Sequence, residues 1–171
     1  MNRIIAQATG GSGTLDAARV VLLVVAIVLP VLIVLRLILR SVARGLQAEV
    51  DRRFRRDEIV KQEIGANFFG LESRGVRQLR GNGALVLTSE MLWFRQALSN
   101  REICIPLDRI TRVSSVPSHL GKTIIKPLLR VDFIDSNESC DSVAWAVRDT
   151  TIWQEAVKGK QRIDDDGSEP S

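Results

Sequence analysis

The chain is 171 residues long, 45% apolar and 26% charged, with 24 Lys and Arg against 20 Asp and Glu. That length predicts one folded domain, the composition excludes global disorder, and a net charge of +4 gives no sign of a dedicated nucleic-acid binder. Two Cys and one His cannot complete a four-ligand zinc site by themselves, and two Cys do not make a disulfide scaffold.

Residues 1–19, with the stretch Gly10-Gly11-Ser12-Gly13, read as a flexible tail. From Val20 to Leu35 no residue is charged, and after Arg36 the run continues through Leu39. Twenty residues at ~1.5 Å each span ~30 Å, the thickness of the hydrocarbon core, so 20–39 is predicted to be a transmembrane helix. Arg36 sits near its end, within reach of the headgroups, and Pro30 introduces a kink that membrane helices tolerate. A cleaved signal peptide has a shorter apolar run nearer the start, although Ser41-Val42-Ala43 is a faint cleavage-like triplet. Arg3 and Arg19 precede the run. Arg36, Arg40, Arg44, Arg52, Arg53, Arg55 and Arg56 end or follow it, which places the C-terminal side in the cytoplasm of a single-pass cell-membrane protein with its N-terminus outside.

Residues 40–65 contain no proline, and Leu46, Val50 and Phe54 recur every four residues, so a basic amphipathic connector helix is expected there. Three readings of it stay open. Its arginines could rest on anionic headgroups, the helix could stand as a stalk with its charges in water, or its apolar stripe could self-associate.

After Gly65 the texture becomes extended. Candidate strands are Ala66–Glu72, Gly83–Thr88, Met91–Gln96, Arg101–Pro106, Arg109–Val116, the alternation at Leu129, Val131 and Phe133, and the shared face of Val143, Trp145 and Val147. Leu92 and Phe94 should point one way and Trp93 the other. Asp149 is placed to cap a final helix with the stripe Ile152, Trp153, Ala156 and Val157. Residues 159–171 read as a disordered acidic tail.

Seven strands closed by one C-terminal helix resemble the pleckstrin-homology (PH) superfold. Gly83-Ala84-Leu85-Val86-Leu87-Thr88, then Met91-Leu92-Trp93-Phe94, then Ile105-Pro106-Leu107-Asp108-Arg109-Ile110 resemble GRAM-type and bacterial PH-like domains, and Trp153 matches the helix tryptophan of the superfold. The resemblance covers 66–158 and implies a binding or scaffolding module without catalytic machinery or cofactor. Phosphoinositide-binding members carry a basic motif across the first hairpin. This chain instead has Arg74, Arg77 and Arg80, spaced by three, between its first two strands.

Other chemistry is thin. Gly121-Lys122-Thr123 lacks the upstream glycine of a phosphate loop, because that position is Val116. His119 reads as an exposed loop residue, Cys104 and Cys140 as small core residues, and Asp164–Asp166 as part of the solvated tail rather than a metal site. Leu120, Lys122, Ile124, Ile125 and Lys126 form a possible interaction loop, or else belong to a strand. The expectation is therefore a membrane-anchored α+β protein: a transmembrane helix, a connector helix and a PH-like seven-stranded antiparallel β-barrel or sandwich capped by a helix. It is an adaptor that presents its domain to a protein partner at the bilayer. The alternative is anionic-lipid headgroup recognition by Arg36, Arg40, Arg44, Arg52, Arg53, Arg55, Arg56, Arg74, Arg77 and Arg80.

Overall fold

The computed structural model describes residues 12–99 and 101–166. Residues 1–11 of the expected N-terminal tail and the last five residues of the expected acidic tail lie outside the described residues, whereas Ser12–Arg19 of the expected flexible tail are helical. The chain divides into two compact units, with the boundary between Ser41 and Val42.

Helix α1 spans Ser12–Arg53, with Pro30 inside it. Every Val, Leu and Ile from Val20 to Leu39 is at least 47% exposed. A helix apolar all round buries its surface in a protein core or in a bilayer, and this one is long and apolar enough to cross a membrane.

The second unit begins with the last turns of α1 and contains seven antiparallel strands: β1 (Ile59–Leu71), β2 (Gly81–Thr88), β3 (Met91–Gln96), β4 (Glu102–Pro106), β5 (Ile110–His119), β6 (Lys122–Ile134) and β7 (Cys140–Ala146). Their order in the sheet is β4-β3-β2-β1-β7-β6-β5. The long strand β1 makes this order possible. It pairs with β2 from Ile59 to Phe68 and with β7 from Asn67 to Leu71. The register slips where Gly65 (φ +97°) and Gly70 (φ +132°) adopt backbone angles that side-chain-bearing residues avoid, so β1 bends and serves both halves of the sheet.

The inner face holds the main core, including Phe68, Leu85, Phe94, Ile105, Val131 and Trp145. Helix α2 (Thr150–Asp166) packs on it through Trp153, Ala156 and Val157. Asp149 caps α2 as expected, its Oδ1 accepting from Thr151 N (2.9 Å) and Ile152 N (3.2 Å). Glu63 on β1 fixes where the helix starts, because its carboxylate accepts from Arg148 N (2.8 Å) and from Trp153 Nε1 (2.9 Å). The expected disordered tail is corrected in part. The helix continues past residue 158 to Asp166, and Gln161 Nε2 donates to the carbonyls of Leu107 (3.2 Å) and Ile110 (2.8 Å).

The outer face of β2 and β3 is apolar too, and this is where the connector expectation fails. The helix ends at Arg53, twelve residues early, and 59–65 is strand. The chain reverses over 54–58, where Glu58 N donates to Arg55 O (3.0 Å) and Arg55 N to Glu58 Oε2 (3.1 Å). Pairing of Ile59–Ile64 with Thr88–Ala84 outweighs local helical preference. The Leu46/Val50/Phe54 stripe lies on Ala84, Val86 and Trp93, with the Phe54 ring edge-on to Trp93 at 5.3 Å. Self-association through that stripe is replaced by packing on the domain's own sheet.

Trp93 is fully buried under this cover. Phe54→Ala should cost ~3–5 kcal/mol, read as a lower urea midpoint for a fragment starting at Val42, together with red-shifted tryptophan emission. An unchanged midpoint would show that the helix end does not stabilise the sheet.

Candidate functional site

One end of the second unit gathers exposed cations and exposed apolar side chains. It is built from the β1–β2 loop, which starts with a 3-10 turn over Glu72–Arg74, and the β5–β6 hairpin. The loop is tied down at both ends. Asp141 accepts from Ser73 N (2.9 Å) and Ser73 Oγ (2.6 Å), while Arg130 bridges Glu72 (3.1 Å) and Asp132 (2.7 Å). Gln78 Oε1 accepts from Leu71 N (3.1 Å), and its Nε2 donates to Leu71 O (2.5 Å) and Gly75 O (2.7 Å).

The hairpin fastens to the loop. Lys122 Nζ donates to Gln78 O (2.8 Å) and Phe69 O (3.4 Å), and His119 Nε2 donates to Gly70 O (3.1 Å). A Cβ at Gly70 would stand 2.8 Å from Leu120 Cδ1, and the φ of +132° there strains any residue but glycine. Of the two readings of residues 120–126, strand holds for all but the turn. Only Leu120 (φ 51°) and Gly121 (φ 70°) form the turn, His119 pairs with Lys122 across it, and Ile124, Ile125 and Lys126 belong to β6. Strand β5 runs on through Pro117, where the register slips as a ladder without that N–H requires.

The fastened loop and hairpin expose Val76 (62%), Leu79 (82%) and Ile125 (106%), with the exposed cations Arg74, Arg77 and Lys126 among them. Arg80 lies 4.1 Å over the Phe69 ring, so it is a packing residue as well as a charge. Sequence reasoning found the arginines and missed Val76 and Leu79. The signal was present in Val76-Arg77-Gln78-Leu79-Arg80, an apolar–basic alternation with no core to face.

The arginines at the end of α1 behave differently. Arg52 pairs with Glu49, Arg55 with Asp57 (3.1 Å), and Arg53 with Glu102 (2.9 Å) while lying over the Trp93 ring at 5.8 Å. The Trp93 Nε1 hydrogen bond (2.7 Å) holds the Glu102 carboxyl below its usual range against the opposing effect of burial, and Arg53 and Arg95 add to the lowering. Three arginines named for lipid contact are thus engaged within the domain. Arg36, Arg40, Arg44 and Arg56 are exposed. Cys104 and Cys140 are also exposed, against expectation, because Ile103 and Ile105 take the inward positions of β4 and Cys140 opens β7. Partial desolvation of its sulfur, with the Glu102 carboxylate beside it, pushes the Cys104 thiol up, away from the reactive thiolate. Among the described residues no group of three His, Cys, Asp or Glu side chains could hold a metal ion.

No family model matches the chain, and no curated protein matches it. Among solved structures, a chain of "The 8S snRNP Assembly Intermediate" is similar at 8% identity and TM-score 0.51, over 68% of this chain and 88% of that one. The C-terminal domain of an unknown protein from Leishmania infantum is similar at 12% identity and TM-score 0.45, over 72% and 98%. The Vps36 N-terminal PH domain is similar at 16% identity and TM-score 0.45, over 61% and 79%. At such identities likeness extends to fold and no further. The strand order and the C-terminal helix make the second unit PH-like.

His119 is buried rather than exposed, and burial lowers its pKa below 6.5 despite the Gly70 carbonyl. The folded state therefore favours the neutral ring, whereas the unfolded chain takes up a proton near pH 6.5. Stability conferred by neutral His119 is complete above that pH and is lost as pH falls below it. The urea midpoint should drop more between pH 7.5 and pH 5 in the native protein than in His119→Gln, and equal drops would refute this role.

Proposed function

We propose that the chain is a single-pass membrane protein whose C-terminal PH-like domain, a GRAM-type relative, binds a protein partner on the cytoplasmic side. It acts by binding and scaffolding rather than by catalysis. The observation that carries this reading is the contrast between the two units. The Val20–Leu39 surface is apolar and exposed on every side, whereas the second unit has its own closed core. A helix of that kind is satisfied by lipid, and arginine asymmetry across it supports an outside N-terminus. Tethering confines the domain near membrane partners and raises its effective concentration there.

A specific observation favours a second reading, contact with anionic lipid through the β1–β2 loop and the β5–β6 hairpin. Val76, Leu79 and Ile125 are exposed beside Arg74, Arg77 and Lys126, and apolar side chains flanked by cations suit an anionic interface. The arginines of the α1 end contribute less to it, since several are already paired.

A reporter active only in the cytoplasm should be active when fused after Ser171 and silent when fused before Met1. The reverse pattern overturns the orientation. A fragment starting at Val42 separates the two readings. Salt-sensitive sedimentation with anionic vesicles, weakened about tenfold by Arg74→Glu with Arg77→Glu, assigns the loop to lipid. No sedimentation leaves the domain to proteins.

A further inference from the structure

The chain enters the second unit at one end of its sheet. Glu49 reaches Arg95 near the end of β3 (3.8 Å), whereas Phe54, farther along the chain, lies on Trp93, and a groove beside it is lined by Arg53, Ser89 and Glu90. The last turns of α1 therefore run toward the β2–β3 turn. Traced backward, they lead to the opposite end. Val42 precedes Glu49 by seven residues, ~10 Å of helix. It stands where the β1–β2 loop and the β3–β4 turn project. Those two are neighbours, because Ala97 N donates to Asn82 O (2.8 Å), beside the point where the loop re-enters the sheet at Gly81.

This entrance end is the apolar end of the unit. Outside α1, four large apolar side chains among the described residues are at least 62% exposed. Val76 and Leu79 lie in the β1–β2 loop, Leu98 in the β3–β4 turn, and Ile125 on the hairpin fastened to that loop. It is the basic end as well. Arg44, Arg74, Arg77, Arg80 and Arg101 stand there with two carboxylates, Glu72 and Asp141. Five arginines against two carboxylates leave three positive charges in excess, and Lys122 and Lys126 of the hairpin add to them. Glu49 and Glu102, farther in, are matched by Arg95 and Arg53.

The far end has the opposite character. Leu107 N donates to Glu90 O (2.9 Å) and Arg109 to Asp135 O (2.9 Å), which gathers the β2–β3, β4–β5 and β6–β7 connections. With the turn after α1 they carry Asp57, Glu58, Glu90, Asp108, Asp135 and Glu138 against Arg55, Arg56 and Arg109. Residues 158–166 of α2 add cations and carboxylates in equal number. The two ends are separated by the eight residues of β2, ~26 Å at ~3.3 Å each.

We propose that the second unit docks, entrance end down, on the anionic leaflet of the same bilayer that α1 crosses, with Val76, Leu79 and Leu98 in the interface and the acidic end turned away from the lipid. This rests on the membrane-spanning and lipid-contact readings, and it adds the β3–β4 turn and the orientation. Leu39, the last residue of the apolar run, precedes Val42 by three residues, which span no more than ~11 Å. The headgroup layer outside the hydrocarbon core is itself ~5–8 Å deep. The chain thus holds its basic end within about one Debye length of the lipid charge, ~8 Å at physiological salt. At so high an effective concentration the patch needs little affinity of its own. The surface left for a protein partner is then the acidic end and the flanks.

The test uses the full chain in nanodiscs of phosphatidylcholine and phosphatidylserine that contain lipid with a nitroxide on its headgroup. Cys104→Ser and Cys140→Ser remove the native thiols. A fluorophore is attached through Leu79→Cys, Leu98→Cys or Ser89→Cys, all at exposed positions, and its quenching by the nitroxide is read. Docking expects quenching about threefold stronger at 79 and 98 than at 89, falling about twofold at 98 when Arg74→Glu and Arg77→Glu are added or phosphatidylserine is omitted. Unchanged tryptophan emission verifies the fold of each variant. Equal quenching at all three positions, or stronger quenching at 89, overturns the orientation. Quenching at 79 without quenching at 98 confines the contact to the β1–β2 loop and overturns the proposal. Quenching at 98 that ignores both the arginines and the lipid charge also overturns it, since the tether alone then sets the position. If the fragment starting at Val42 sediments with anionic vesicles while the three labels are quenched equally, the docking falls and the lipid-contact reading survives. Absence of both sedimentation and quenching strikes both.

Discussion

Strands β2 and β3 are apolar on both faces, and everything in the second unit answers to that. Leu85, Leu87, Leu92 and Phe94 face one way, and Ala84, Val86 and Trp93 the other. An antiparallel sheet with one wet face alternates apolar and polar residues, whereas Ala84-Leu85-Val86-Leu87 does not alternate at all. Two covers are needed. The second half of the sheet and α2 supply the inner one, and the last turns of α1 supply the outer one. The helix that leads into the domain is therefore part of it, so the domain starts well before its first strand.

Strand β1 is the hinge of this arrangement. Its two glycine bends let thirteen residues serve two neighbours. Just before the first bend, Glu63 ties α2 to the strand with one carboxylate. Because β1 leaves β2 only gradually and meets β7 late, the closure is incomplete. The same geometry that joins the two halves of the sheet leaves the first half of β1 with one side open.

Much of this was legible in the sequence. The spacing of Leu92, Trp93 and Phe94, the hairpin at Ser89-Glu90 and the cap at Asp149 carry their structure locally, and strand count with one terminal helix suffices for a PH-like fold. What was not legible depended on partners distant in the chain. Leu46, Val50 and Phe54 announce an apolar stripe without naming what it covers. The clue lay forty residues on, in two strands with no polar face. The segment 59–65 has no turn residue before Gly65 and reads as helix until Thr88–Ala84 is set beside it. His119 looked exposed because its neighbours Ser118, Leu120 and Gly121 suggest a loop. Its burial comes from Gly70, forty-nine residues away. Of the candidate contact residues, the β1–β2 loop cations are visible in the spacing of Arg74, Arg77 and Arg80 between two strands. The pairing of Arg52, Arg53 and Arg55 required knowing where Glu49, Glu102 and Asp57 fall.

The late pairing of β1 also sets an order of events in synthesis. Asn67 is matched to Ala146 and Glu63 to Trp153, so β1 pairs with β2 early but waits for most of the domain to be made before its contacts with β7 and α2 exist. Contacts of such long sequence separation form slowly because loop closure precedes any compensating gain. The apolar helix, in contrast, is complete before the first strand leaves the ribosome. The nascent chain therefore settles its helix first and closes its sheet last. Until β2 and β3 are made, the outer-face stripe at Leu46, Val50 and Phe54 has no sheet to rest on.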